Sequence, residues 1–326
     1  MRIGCKKFAD FSLFPSKKAN FTRHSLFSGE CEKKFAVRRR ICYNKNNYRL
    51  FCSFGEKEAG KDREFALNRI ADAKRIVVKV GTSTLAHPTG KLNFRRMEEI
   101  CRVLADLKNG GREVVLVTSG AIGVGCGKLA LERRPEDTPS KQAAAAVGQC
   151  ELMYLYDKFF SEYGCCVGQI LLTRDVVEIS DRKLHVVNTL HRLLEMGAVP
   201  IVNENDSVSV EEIEFGDNDT LSAIVATLCN ADALVILSDI DGLFDRDPHK
   251  FPEAKLIPQV SELTDEILQS AGGVGSKLGT GGMVTKLHAA EIALQKGIPM
   301  ALINGNDPHK LYHLFDGEPV GTLFAR

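Results

Sequence analysis

The chain has 326 residues, 44% hydrophobic and 26% charged, with a formal net charge of +1. The length permits one large α/β domain or two smaller ones, and the composition is that of an ordinary globular protein. No apolar run approaches the roughly 18 residues of a membrane span, and no secretory h-region is present, so neither a membrane span nor a signal peptide is expected.

The net charge hides an asymmetry. Residues 1–55 carry 13 Lys and Arg against Asp10, Glu30 and Glu32, and the rest of the chain carries 30 against 39. The body is mildly acidic, which excludes a general electrostatic footprint for nucleic acid. The basic segment has no helical periodicity. It is acid-poor and contains Ser and Arg, as transit peptides do, and a basic nucleic-acid-binding tail is a second reading. The expectation adopted is a disordered, dispensable extension over residues 1–66 and a cytoplasmic body over 67–326. Of ten cysteines, Cys5, Cys31, Cys42 and Cys52 lie in the extension. None forms a CxxC pair or a zinc-type spacing, so free thiols and no protein-bound metal are expected.

From residue 70 strand and helix patterns alternate. Residues 76–80 are a β-rich run that holds Lys79 and leads into Gly81-Thr82-Ser83. A lysine in an apolar strand either snorkels at the sheet edge or aims its ammonium from the strand end at a phosphoryl group. Residues 95–108 read as a helix, with Met97, Ile100, Cys101, Leu104 and Leu107 on one face. A strand at 114–117 runs into Thr118-Ser119-Gly120-Ala121-Ile122-Gly123-Val124-Gly125. Small residues between a strand and a helix leave backbone N–H groups for an anion, though the loop is neither GxGxxG nor a Walker A loop. Residues 140–163 read as a long helix, 167–172 as a strand and 184–196 as a helix.

The strand at 198–202 enters the most polar loop of the chain. Asn203-Glu204-Asn205-Asp206 and Gly216-Asp217-Asn218-Asp219 place six Asp and Asn side chains in one loop system. A turn needs one or two. Carboxylates accept from an ammonium group and amides donate to a carboxylate, so the pair of clusters suits a small charged molecule. A helix at 220–228 and a buried strand at 233–237 follow. Ser238-Asp239-Ile240-Asp241-Gly242 comes next; Asp241-Gly242 reads as a turn, and the Ser-Asp pair can also contact a base or ribose. Gly279-Thr280-Gly281-Gly282-Met283-Val284-Thr285-Lys286 opens a helix that runs to 295. A lysine in a first turn opposes the helix dipole by a few tenths of a kcal/mol, and a bound phosphate reverses that sign. Strands at 300–303 and 320–324 complete the chain.

Short apolar strands between amphipathic helices predict a three-layer α/β sandwich, with a mostly parallel central sheet and helices on both faces. Ligands on such sheets bind at the carboxyl ends of the strands, where every unusual loop of this chain falls. Two lysines, two glycine-rich anion loops and one acid-amide cluster point to phosphoryl transfer, which is mostly positioning and charge neutralisation. Asp219 can hold both ammonium groups.

Lys-Val-Gly-Thr-Ser (79–83), Thr-Ser-Gly-Ala-Ile (118–122), Asn-Glu-Asn-Asp (203–206), Gly-Asp-Asn-Asp (216–219) and Gly-Thr-Gly-Gly-Met-Val-Thr-Lys (279–286) stand in a familiar order. Over residues 73–324 the chain resembles the amino-acid kinase family, and within it the glutamate 5-kinase branch. Ala145, Val147-Gly148-Gln149 and Leu172-Thr173-Arg174 also match. The resemblance implies that family's fold; the additional C-terminal RNA-binding-type domain many relatives carry is not expected here, a departure from the family pattern. It implies ATP and L-glutamate giving γ-glutamyl phosphate and ADP, the first step of proline synthesis, with Mg2+ arriving on ATP. Lys79 and Lys286 look like the phosphoryl-stabilising lysines and Asp219 like the residue that orients them. Ser119, Asp206 and Asn218 look like glutamate ligands, with Asn203 nearby. Lys79, Ser238, Asp239, Thr280, Gly281, Gly282, Met283, Val284, Thr285 and Lys286 look like the nucleotide site. Feedback inhibition by proline, a homo-oligomer and functional coupling to glutamyl phosphate reductase follow from the same resemblance. A sister kinase for acetylglutamate, aspartate, carbamate or UMP is one alternative, which the paired Asn/Asp clusters argue against. A catalytically dead amino-acid sensor is another, which the retained lysines and Asp219 argue against.

Overall fold

The computed structural model describes residues 56–87, 91–173, 179–208, 218–248, 250–270 and 282–326. Its strands are β1 (Arg75–Val80), β2 (Glu113–Val117), β3 (Val167–Leu172), β4 (Val199–Glu204), β5 (Ala233–Ser238), β6 (Gln259–Val260), β7 (Met300–Asn304) and β8 (Thr322–Phe324). They form one sheet in the order β3-β4-β2-β1-β5-β7-β8-β6. Every described pairing is parallel except β7 with β8. The helices are α1 (Glu56–Ala71), α2 (Thr82–Leu85), α3 (Phe94–Asn109), α4 (Ala121–Lys128), α5 (Thr138–Ser161), α6 (Ser180–Glu195), α7 (Asn218–Leu228), α8 (Asp265–Ser270), α9 (Met283–Gln295) and α10 (Lys310–Phe315).

Alternation along each strand separates two cores. Ile76, Val78, Val80, Val114, Leu116, Ile201, Val235 and Ile303 pack with α1, α3, α5 and α10 on one face. Val77, Val115, Val117, Val202, Leu234, Ile236 and Leu302 pack with α6, α7 and α9 on the other. This is the three-layer sandwich the sequence predicts. Parity also decides where Lys79 goes: it shares the Val77 face of β1, the side covered by α7 and α9.

Local chemistry sets the helix starts. Asn93 accepts from the Arg96 N–H at 3.1 Å, and Asp137 from the Ser140 N–H at 2.9 Å, each serving as N-cap. Between α4 and α5 the backbones touch. A Cβ built on Gly148 would lie 1.8 Å from the Ala121 carbonyl oxygen, and one on Gly125 1.8 Å from that of Ala144. Only glycine permits this approach, and it brings the start of α4 against the middle of α5.

Helix α1 occupies residues 56–71, part of which the sequence reading assigned to the extension. Its Ala66, Leu67 and Ile70 are buried in the first core, while Phe65 is 61% exposed. Residues 1–55 lie outside the described structure. Ile70→Ala should therefore cost about 2–5 kcal/mol of unfolding free energy in urea titration. Phe65→Ala, five residues earlier on the same helix, should change it by under about 0.5 kcal/mol.

Candidate active site

The carboxyl ends of β4, β2, β1 and β5 are consecutive in the sheet; the chain leaves β1 toward β2 on one side and leaves β5 toward β6 and β7 on the other. That reversal is where open α/β sheets bind ligands. Lys79, the last residue but one of β1, stands there and is 6% exposed. Lys286 reaches the same point from the first turn of α9 and is 7% exposed. Between them stands Asp219, fully buried in the first turn of α7. Lys79 Nζ lies 2.5 Å from Asp219 Oδ1, and Lys286 Nζ donates to Oδ2 at 3.1 Å. The Lys79 contact is a close ion pair. The Thr285 hydroxyl lies 3.0 Å from Oδ2 and 2.7 Å from the Gly282 carbonyl.

Burial would push the Asp219 carboxyl upward. The ammonium groups of Lys79 and Lys286 outweigh it and hold the carboxyl below its ordinary value. The carboxylate also gains from the α7 N-terminus, whereas Lys286 sits at the wrong end of the α9 dipole and is compensated by Asp219.

Asn218, the neighbour of Asp219, builds a second cluster. Its Nδ2 donates to the Thr118 carbonyl at 2.6 Å, to Ser119 Oγ at 2.9 Å and to Asn203 Oδ1 at 2.9 Å. Asn203 is 1% exposed and passes its own amide to Gln149 Oε1 at 2.9 Å. Gly120 makes the approach of this loop possible. Its φ is +94°, and a Cβ there would already touch Thr82 at 3.4 Å. Beneath it, the buried Thr118 and Tyr156 hydroxyls are 2.6 Å apart. Asp206 lies in the turn after β4 and lines a small recess with Ala121, Ala145, Gln149, Leu171 and Asn205.

A third group sits on the other side of Lys79. Ser238 is 3% exposed at the end of β5, and its hydroxyl is 3.2 Å from Asp239 Oδ1. Asn304, the register partner of Ser238 on β7, and Lys310 both donate to Asp241 Oδ1, at 3.1 and 2.9 Å. Those bonds, Lys310 first, hold the Asp241 carboxyl below its ordinary value.

The structure thus joins Lys79, Asp219, Thr285 and Lys286 directly, and Ser119, Asn203 and Asn218 directly. Gly282 caps α9, and Met283 and Val284 form its first turn. Thr280 and Gly281 lie outside the described residues. Sequence reading did not single out Gln149, Asn304 or Lys310 as site residues. Only Asn304 had a usable signal, a polar residue at the end of an apolar strand. Among the described residues no group of three or more His, Cys, Asp or Glu is placed to hold a metal ion. No described helix is long and apolar enough to cross a membrane.

The Amino acid kinase family model matches residues 74–304. A glutamate 5-kinase of Clostridium perfringens is 57% identical over 260 residues, covering 78% of this chain and 97% of that protein. A glutamate 5-kinase of Listeria innocua is 53% identical over 260 residues, covering 78% and 94%. Among solved structures, UMP kinase of Bacillus anthracis superposes with TM-score 0.53 at 19% identity, over 78% of this chain and 96% of that one. An isopentenyl phosphate kinase superposes with TM-score 0.54 at 17% identity, over 77% and 100%. These two share the fold.

Removing the shared carboxylate leaves two buried ammonium groups facing each other. Asp219→Asn should cost about 3–5 kcal/mol, the usual penalty for breaking a buried ion pair from one side. A lowered native pKa means that Asp219 contributes stability above the unfolded value of about 3.9, and loses it as pH falls through the native value. Urea unfolding should show a gap between wild type and variant that is constant from about pH 7 to 5 and narrows below about pH 4.

Proposed function

The chain belongs to the amino acid kinase family, in its glutamate 5-kinase branch, and from that premise we propose that it transfers the γ-phosphoryl group of ATP to the side-chain carboxylate of L-glutamate. The products are L-glutamyl 5-phosphate and ADP, and the reaction opens proline biosynthesis. The observation that carries the reading is the buried Lys79–Asp219–Lys286 cluster beside the Asn203–Asn218 amides.

The acceptor is already an anion at neutral pH, so the reaction needs no general base. A carboxylate oxygen of glutamate attacks the γ-phosphorus, the bond to the bridging oxygen breaks, and ADP leaves with its electron pair. Both reactants are negatively charged. The work of the protein is to bring them together and to neutralise charge on the transferring group. Two lysines bound to one carboxylate keep one net positive charge, directed at the phosphoryl oxygens. Asp219 fixes their spacing before substrate arrives, so little reorganisation is needed in the transition state. Both oxygens of Asp219 face lysines, which makes it a poor cation ligand. Mg2+ would instead be carried on the phosphate oxygens of ATP, adding to the neutralisation there.

Ser119, Asn218 and Asp206, near Asn203, are assigned to glutamate. Asp206 would accept from the α-ammonium group. Ser238, Asp239 and residues 280–286 are assigned to the nucleotide, with the α9 N-terminus and Gly282 offering backbone N–H groups to phosphate. The reading extends to proline as a feedback inhibitor, because proline shares the α-carboxylate and amine of glutamate. A homo-oligomer, coupling to glutamyl phosphate reductase and a cytoplasmic location rest on the family resemblance.

Two substitutions separate chemistry from binding. Lys286→Ala removes charge that matters most as the phosphoryl group transfers, and should lower kcat by roughly 10²-fold or more. Asp206→Ala removes a ligand present before and during transfer, and should raise KM for glutamate with KM for ATP nearly unchanged. Steady-state kinetics with each substrate varied in turn measures both. A raised KM for ATP alone in Asp206→Ala would reverse the two halves of the site.

A further inference from the structure

Gln149 follows Gly148 on α5, at the crossing with α4, and is 8% exposed. Its Oε1 accepts from Asn203 Nδ2 at 2.9 Å. The direction of that bond is fixed from outside the pair. The backbone N–H of Glu204 donates to Asn203 Oδ1 at 2.9 Å. A main-chain amide can only donate, so the atom it meets is the carbonyl oxygen of Asn203, and the amide nitrogen faces Gln149. The other end of Gln149 is then Nε2, which can only donate. It is buried and has no hydrogen-bond partner among the described residues. Buried amide donors are paired in the great majority of cases, so this one calls for an acceptor.

Gln149 also lines the recess that holds Asp206. The remaining lining is Ala121, Ala145 and Leu171, whose apolar groups suit a methylene chain, and the polar Glu204, Asn205 and Ser207. An amide donor and a carboxylate at one recess are the complement of an α-amino acid head. The α-ammonium can pair with the Asp206 and Glu204 carboxylates, and the α-carboxylate can accept from the Gln149 amide donor. The Asn203–Asn218 bond ties this recess to the lysine cluster, because Asn218 and Asp219 are consecutive in α7. An acceptor whose distal carboxylate reaches the lysines would lay its α-carbon end toward Gln149.

Resting on the glutamate reading above, we propose that Gln149 Nε2 binds the α-carboxylate of the acceptor and makes the site select an α-amino acid over other short carboxylates. The test uses L-glutamate and 4-aminobutyrate, which keeps the amine and the distal carboxylate but lacks the α-carboxylate. Gln149→Glu retains an oxygen for Asn203 and turns the donor into an acceptor, while Gln149→Met removes both polar ends at similar length. The ratio of kcat/KM for glutamate to that for 4-aminobutyrate is independent of how much of each variant folds. It should fall by about 10- to 100-fold in both variants, the loss of one hydrogen bond to a charged group. The fall should come through KM for glutamate, with KM for ATP unchanged. Equal losses with both acceptors, or no loss, would overturn the role of Gln149 and leave it a support for Asn203. A wild type without glutamate-dependent turnover would instead overturn the functional reading, and this inference with it.

Discussion

One buried carboxylate shared by two ammonium groups governs the rest of this protein. Like charges repel, and Lys79 and Lys286 would not be kept beside each other in an apolar layer without Asp219. Each of the three residues is less than a tenth exposed. The arrangement is costly to desolvate and is tolerated because all three charges are fixed by separate rigid elements: a central strand and the first turns of two helices. What remains after pairing is a single positive charge at the switch point of the sheet, where a phosphoryl group gains negative charge as it moves.

The scaffold converts that charge into positioning. Asn218 and Asp219 are consecutive, so one helix start serves both the lysines and the amide network. The amides are held in turn by backbone groups just past β2 and at the end of β4, through the Thr118 carbonyl and the Glu204 N–H. The glycine contact between α4 and α5 carries Gln149 to the end of this network. Donors and acceptors are therefore set by main-chain geometry more than by flexible side chains, the condition under which electrostatic stabilisation is most effective.

Much of this was legible in the sequence. β3 and α9 have the bounds their patterns give, because each is a continuous run with a clear stop. Gly164, Gly197 and Gly297, at or just past the ends of three predicted helices, have φ values of 71°, 73° and 70°. Lys79, Asp219 and Lys286 were legible because a lysine in an apolar strand, or a charge in a helix start, breaks a local rule that something else must satisfy. Short elements were not: β6 has two residues and α10 six, too few for a period to register. Helix α1 has a weak apolar face and follows a basic segment, so its buried Ala66, Leu67 and Ile70 did not stand out. Gln149 was invisible as a site residue because a polar residue in a long helix reads as solvent-facing. Only the crossing of α4 and α5 buries it.

The central claim is phosphoryl transfer to a carboxylate of L-glutamate, and its most direct measurement traps the product. The purified protein is incubated with ATP, Mg2+ and hydroxylamine, and ADP release and hydroxamate are followed together with L-glutamate, acetylglutamate, aspartate or UMP as acceptor. The account predicts ADP release with L-glutamate, matched by hydroxamate from a trapped acyl phosphate, and far less with the other three. ADP release driven by UMP without hydroxamate, or hydroxamate formed from acetylglutamate or aspartate in place of glutamate, would contradict it.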